Sequence, residues 1–322
     1  MIVLDRTDYN GALRGLVDER GWINFRELLA RRDQIDRFLS KAARVNAEML
    51  RNRSVEDRKA YWFCVYHGLL VASILDHYPP ERVRPVGAAP DPGDHADSVR
   101  RVPGFWTARA IRAGGERHTL RSIENDVLWK EFPDPRWPFV LARGGRSGAP
   151  IPAELPGGVR FDSYLDRRVQ SFFRQRENYY RSGPDKTLFL SPVLLWDRER
   201  IMTQEGGPLP VHQSRPVSRW EEEEDAGDIQ ILLRFIMPFL DRQERMAIDP
   251  ENYKIRYSYF DWRLPDTSPP AAPAPGSEAG DEDRQPLPLT DAPDVKGETV
   301  GEEMPEQPDS DDAPPVRFIP RP

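Results

Sequence analysis

The sequence predicts an α+β fold, predominantly helical with a few short strands and hairpins, in one domain over residues 1–265 followed by an acidic tail over 266–322. Three observations carry this. The run from Ala60 to Leu75, inside "SVEDRKAYWFCVYHGLLVASILDHYPP", is apolar nearly all round, as in a helix buried on every side. Several other stretches repeat apolar residues at helical spacing, and only a few short runs look like strands. From Pro265 onward the chain is rich in Pro, Ala and acids and nearly free of aromatics. Such a segment buries too little apolar surface to offset chain entropy and is expected to be disordered.

Each element follows from its residues. Leu13, Leu16 and Val17 recur at helical spacing, and "ERG" is expected to end that helix at a C-cap glycine. Leu28, Leu29, Ile35, Phe38 and Leu39 mark a second helical stretch. Ser54, with Asp57 three residues on, suits the cap of the central helix, which Pro79 and Pro80 stop. "VRPVGAAPDPGDHADSVRRVPG" reads as loop. "WTARAIRAGGERHTL" reads as a hairpin with Gly114-Gly115 at its tip. "TLRSIENDVLWKEF" returns to helix, with Thr119 or Ser122 as cap. An amphipathic helix follows, with Phe161, Tyr164, Leu165, Val169, Phe172 and Phe173 on its apolar side. "KTLFLSPVLLWDRERIM" is a strand then a helix, "IQILLRFIMPFL" a buried helix kinked or ended at Pro238, and "YKIRYSYFDWRLPD" a closing strand. No internal repeat is visible.

Composition excludes several function classes. The formal charge of −7 is concentrated in the tail, where residues 265–322 hold 14 acidic against 4 basic side chains. The body is then near neutral, and neither its charge nor its aromatics argue for a nucleic-acid partner. Cys64 is the single cysteine, so no intramolecular disulfide and no Cys-based metal cluster can form. No stretch is apolar enough to span a membrane. The opening "MIVLDRTDYN" lacks a basic stretch followed by an apolar one, so the expected location is the cytoplasm.

Eight landmarks in order, "VDERGWINFREL", "AYWFCVYHGLLVASIL", "DHYPP", the Gly-Gly hairpin, "SIENDVL", "DPRWPFVLARGGRSGAP", "LFLSPVLLWDRE" and "KIRYSYFDWRLPD", resemble the family called domain of unknown function 547. The resemblance covers most of residues 9–265. It implies an architecture without a reaction, since the family's activity is not settled. Where the resembled pattern carries two cysteines, this chain has Arg143 and Gly148, and Ala142 stands at an Asn or His position. Cys64 and His67 replace two asparagines, and Asn125 follows Glu124 in place of a histidine. Glu124, Asp134, Arg136, Ser147 and Pro150 match. If typical members use a Cys nucleophile, this chain has lost its thiol, and Arg143 cannot replace it because a guanidinium stays protonated. The resemblance thus implies a non-catalytic binding or scaffold member with a degenerate pocket. The alternative is a hydrolase- or transferase-like enzyme using His67, Glu124, Ser147 and Arg143.

The same residues define the candidate sites. Arg136, Arg143 and Arg146, the last two among the glycines of "RGGRSGAP", could offer guanidinium and backbone N–H groups to an anion. The stretch lacks the Lys-Ser/Thr ending of a P-loop, and a plain turn is the bland reading. His67, Glu124 and Ser147 are the catalytic candidates. Cys64 and His67, three apart on a helix, share a face, but a buried Cys is more often an inert small hydrophobe and His67 a hydrogen-bonded core residue. The resemblance suggests that Glu124, Asp134 and Arg136 meet near the loop, either as a general base with its partners or as a structural ion pair. His77, His95, His118 and His212 show no metal-ligand spacing, so no metal and no cofactor are expected. "WEEEEDAG" could attract a cation but is more often a solvated face, and "VRFIPRP" is a loose end or a docking peptide. The expected partner is a small anionic ligand or a protein.

Overall fold

The computed structural model describes residues 4–79, 97–204, 226–249 and 252–268. All lie in one compact unit, Met1–Pro270. The expected tail beyond Ser268, the "VRFIPRP" end, His95, His212 and the whole Glu run fall outside the described residues.

The N-terminal helices pack on the apolar run through the third of them. Helix α1 (Thr7–Leu13) ends earlier than the spacing of Leu16 and Val17 suggests. Gly15, at φ 74°, turns the chain out of the helix, and Val17 instead bridges Ile23 in an antiparallel pair. The second helical stretch is two helices, α2 (Phe25–Ala30) and α3 (Arg32–Ala43). Asn24 caps α2 by accepting from the Glu27 amide, and Asn46 caps α4 (Ala47–Arg51) through the Met49 amide. Helix α5 (Val55–Asp76) is the axis of the domain. Ser54 caps it by accepting from the Asp57 amide, and every residue from Ala60 to Leu75 is buried. Helix α3 lies along it on one side and the later helix over Phe161–Arg174 on another. Each large side chain so buried contributes about 1.5–3 kcal/mol, which explains why an all-round apolar helix ends up in the centre.

The hairpin forms as expected. Strands β1 (Ala110–Ala113) and β2 (Glu116–Thr119) pair antiparallel, with Gly114 and Gly115 between them. Thr119 then opens α6 (Leu120–Ser122) with a capping box, its hydroxyl accepting from the Ser122 amide while the Ser122 hydroxyl accepts from the Thr119 amide. The following residues Ile123–Trp129 form a π-helical turn rather than more α-helix. A short α7 (Trp137–Val140) precedes the glycine-rich loop, and α8 (Phe161–Arg174) buries Phe161, Leu165, Val169, Phe172 and Phe173.

Strand β3 (Tyr179–Ser182) is absent from the sequence expectations. It pairs antiparallel with β4 (Thr187–Leu190), and β5 (Lys254–Tyr257) adds parallel on the other side of β4. Between them come α9 (Val193–Trp196), α10 (Arg198–Gln204), α11 (Ala226–Ile236) and α12 (Arg242–Ala247). A 3-10 turn over Met237–Phe239 follows α11, so Pro238 ends that helix. The chain after β5 stays in the fold past residue 265. Ile23 bridges Asp266, and the Ser268 hydroxyl accepts from the Arg26 amide. The expected boundary at 265 is therefore a few residues short. Among the described residues no helix is long and apolar enough to cross a membrane.

Candidate functional site

The loop "RGGRSGAP" is a clasp, and the backbone N–H groups of Arg146, Ser147 and Gly148, with that of Ala142 just before it, are spent on the chain's own acceptors. Ala142 N–H donates to His67 Nε2 at 3.3 Å, Arg146 N–H to the Arg263 carbonyl at 3.0 Å, Ser147 N–H to the Asp261 carbonyl at 3.3 Å and Gly148 N–H to the Gly145 carbonyl at 3.1 Å. The Ser147 hydroxyl accepts from the Asp261 amide at 3.0 Å. Glycine is required at 145, where a Cβ would stand 2.6 Å from the Phe260 ring and 2.9 Å from the Asp261 carbonyl oxygen. An anion nest needs free N–H groups converging on one point. Here two of them, those of Arg146 and Ser147, hold the segment 260–264 against the domain.

The three candidate arginines diverge. Arg136 meets Asp134 through two parallel bonds of 2.9 and 2.7 Å and also reaches Asp162 and Asp166, with Lys59 3.4 Å from Asp134. Burial opposes its charge, but these carboxylates prevail and hold its pKa above the ordinary arginine range. Arg143 Nη2 lies 2.6 Å from Asp197 and 3.3 Å from Glu124. Arg146 lies 4.5 Å over the Trp22 ring, donates to the Leu264 carbonyl and stands 4.0 Å from Asp97. Each charge is already met inside the protein, so the three form no common anion pocket.

Glu124 does not meet Asp134 and Arg136. The π-helical turn directs it toward Arg143 and Asp197 instead. Burial pushes the Glu124 carboxyl above its ordinary value, outweighing the nearby Arg143 charge, and Asp197 adds to the rise. Arg143 Nε is buried with no hydrogen-bond partner among the described residues. Asp197 was invisible to sequence reasoning, since it lies between α9 and α10, 54 residues from Arg143, with no local pattern.

His67 is a core histidine. Its Nδ1 is 2.9 Å from the Phe63 carbonyl and its Nε2 accepts from Ala142, which fixes the tautomer protonated at Nδ1. Burial lowers its pKa to about 3, so it stays neutral near pH 7. Neighbouring Tyr66 donates to the Ala142 carbonyl at 3.1 Å, so α5 grips both polar groups of one residue at the start of the loop. Cys64 contacts the Pro156 carbonyl rather than His67, and burial pushes its thiol up to about 12, away from the thiolate a nucleophile needs. Among the described residues Ser147, tied to Asp261, is bonded to no base. Among the described residues no group of His, Cys, Asp and Glu could hold a metal ion.

Comparison with protein-family models, with curated proteins and with solved structures gives no match for this chain.

Proposed function

We propose that the chain is a non-catalytic binding or scaffold protein on the framework of the family it resembles, located in the cytoplasm and engaging a small anionic ligand or a protein. The single observation behind this reading is the state of His67. Both ring nitrogens are taken by backbone groups, and the ring is neutral and out of water. A general base must reach a nucleophile or water, and this one reaches only Phe63 and Ala142. Ser147 is likewise spent on Asp261.

A second reading has one observation in its favour. The π-helical turn sets Glu124, its carboxyl pushed up by burial, beside Asp197 on one arginine nitrogen. An acid beside a carboxylate is an acid–base pair in form, and π-helical turns often occur at functional sites. The test is a panel of model esters, amides, phosphoesters and glycosides, offered to the wild type, Ser147→Ala, His67→Asn and Glu124→Gln. The binding reading expects no turnover that differs among the four. Turnover lost in Glu124→Gln or Ser147→Ala would overturn it.

A further inference from the structure

A cleft of about 330 Å³ lies between the C-terminal end of α8, strand β3, the 3-10 turn over Met237–Phe239 and the start of α12. That volume stands at the small end of the range for ligand sites, roughly 300–1,000 Å³, and suits a body of one or two rings. The floor is apolar, with Phe173, Tyr179 and Leu240 buried and Phe239 half-buried. The exposed rim carries Arg174, Arg176 and the ring of Tyr180. Among the described residues β3 is an edge strand of its sheet, and three successive residues of it, Tyr179, Tyr180 and Arg181, reach the cleft.

One wall is fixed by a closed network. Glu244 Oε2 accepts from the Tyr179 hydroxyl and from Arg181 Nε, both at 2.8 Å, and its Oε1 accepts from Arg181 Nη2 at 3.2 Å. Asp241 Oδ1 accepts from the Glu244 amide at 2.8 Å and caps α12. Both carboxylates of the lining are thus engaged by Arg181, Tyr179 and the helix end, and the wall is in place before any ligand arrives. The other two arginines of the lining are not so engaged. Among the described residues neither Arg174 nor Arg176 meets a carboxylate. Arg176 lies 4.5 Å over the Tyr180 ring, which is 39% exposed. The result is a positive rim above an apolar floor. A cleft with such walls focuses its potential on an entering anion.

We propose that this cleft binds a small aromatic acid. The ring sits on Phe173, Phe239 and Leu240 beside Tyr180, and its carboxylate or phosphate group is held at the rim by Arg174 and Arg176. Apolar area removed from water favours the ring, and guanidinium groups match either oxyanion with paired donors. This goes beyond the binding reading. The cleft shares no residue with the glycine-rich loop or with the Glu124–Arg143–Asp197 cluster, and it holds whether or not that cluster is catalytic.

The full chain is titrated by calorimetry with 2-naphthoate and 2-naphthyl phosphate, which carry the ring on a carboxylate and on a phosphate. These two arms distinguish the sources of the oxyanion. Acetate and inorganic phosphate supply the oxyanion alone, and 2-naphthol supplies the ring without the charge. Sodium chloride keeps the ionic strength matched throughout. The expected result is saturable binding of at least one ring-bearing anion, about tenfold or more tighter than its ringless counterpart and than 2-naphthol. The double variant Arg174→Met, Arg176→Met should weaken it about tenfold or more, and each single variant and Tyr180→Ala to a lesser degree. These three side chains are exposed, so the variants leave the core and the Glu244 network in place and should melt as the wild type does. Arg117→Met, which removes an exposed arginine on β2, should bind like the wild type. No saturation of the wild type by either ring-bearing anion overturns the proposal. Binding of wild-type strength in the double variant, an equal loss in Arg117→Met, or equally tight binding of 2-naphthol or of the ringless anions overturns it as well. None of these outcomes bears on the substrate panel, whose variants lie outside the cleft.

Discussion

Ser147 and Asp261 hold each other twice, the Asp261 amide donating to the Ser147 hydroxyl at 3.0 Å and the Ser147 amide donating to the Asp261 carbonyl at 3.3 Å. This pair joins the glycine-rich loop to the chain's return path after β5. Ser147→Ala removes one of the two bonds and leaves the Asp261 amide without that partner. The expected loss is about 1 kcal/mol of stability. It should appear in urea denaturation as a lower midpoint with an unchanged slope. A midpoint equal to the wild type's would mean that the hydroxyl does not hold the loop in solution.

Arg143 sits between two carboxylates in a recess from which water is largely excluded. Arg143→Met removes the cation and leaves Glu124 and Asp197 facing each other. Breaking a buried pair from one side costs about 3–5 kcal/mol, because the remaining charges are uncompensated. The triple variant Arg143→Met, Glu124→Gln, Asp197→Asn removes the charges together and should recover much of that loss. The check is chemical denaturation of the single and triple variants side by side. Equal destabilisation in both would show that shape, not charge, is what Arg143 supplies.

The parts of this fold that were legible in the sequence are those whose cause is local. Helix α5 announces itself because Ala60–Leu75 is apolar on every side. Thr119 caps and the hairpin forms because both depend on residues within a few positions. Strand β3 was not legible, since "YYRS" is too short to show a period and owes its pairing to β4. The end of α1 was missed because the apolar spacing of Leu16 and Val17 persists past the glycine turn. The π-helical turn leaves no mark in a seven-residue stretch, yet it decides which way Glu124 faces. The candidate arginines were visible as charges, but whether a charge is free depends on partners far along the chain. Asp197 quenches Arg143 from 54 positions away.

His67 makes stability depend on pH in a predictable direction. Its folded pKa of about 3 lies below the ordinary 6.5, so the unfolded chain binds its proton first as pH falls. Stability is then fully present above about pH 6.5 and declines between 6.5 and 3, by up to about 1.4 kcal/mol per pH unit. Paired carboxylates such as Asp134 contribute a decline of the same sign at lower pH, because their folded pKa is also depressed. The His67 share is isolated by comparison with His67→Asn, which carries no titrating group there. Between pH 7 and pH 5 the wild type should lose about 2 kcal/mol more than the variant. Parallel losses would mean that His67 is not held neutral.

Gly68 sets how closely α3 can approach α5. A Cβ there would stand 2.4 and 2.8 Å from two carbons of the Phe38 ring and 3.2 Å from a Leu39 methyl. Phe38 is fully buried and cannot swing away without moving its neighbours, Tyr9 among them, whose ring lies 5.5 Å off. Two effects oppose each other in Gly68→Ala. Alanine favours the helix by about 1 kcal/mol over glycine, while overpacking in a filled core costs about 1–3 kcal/mol. The contacts here involve a rigid ring, so the cost is expected to win and the variant to melt lower than the wild type. Phe38→Leu on its own opens a cavity and is destabilising too. In combination the smaller side chain makes room for the new methyl group, so the double variant should be more stable than the sum of the two losses by about 1 kcal/mol or more. A double-mutant cycle by urea denaturation measures this coupling directly. Strict additivity would mean that α3 and α5 do not meet at Gly68 and Phe38.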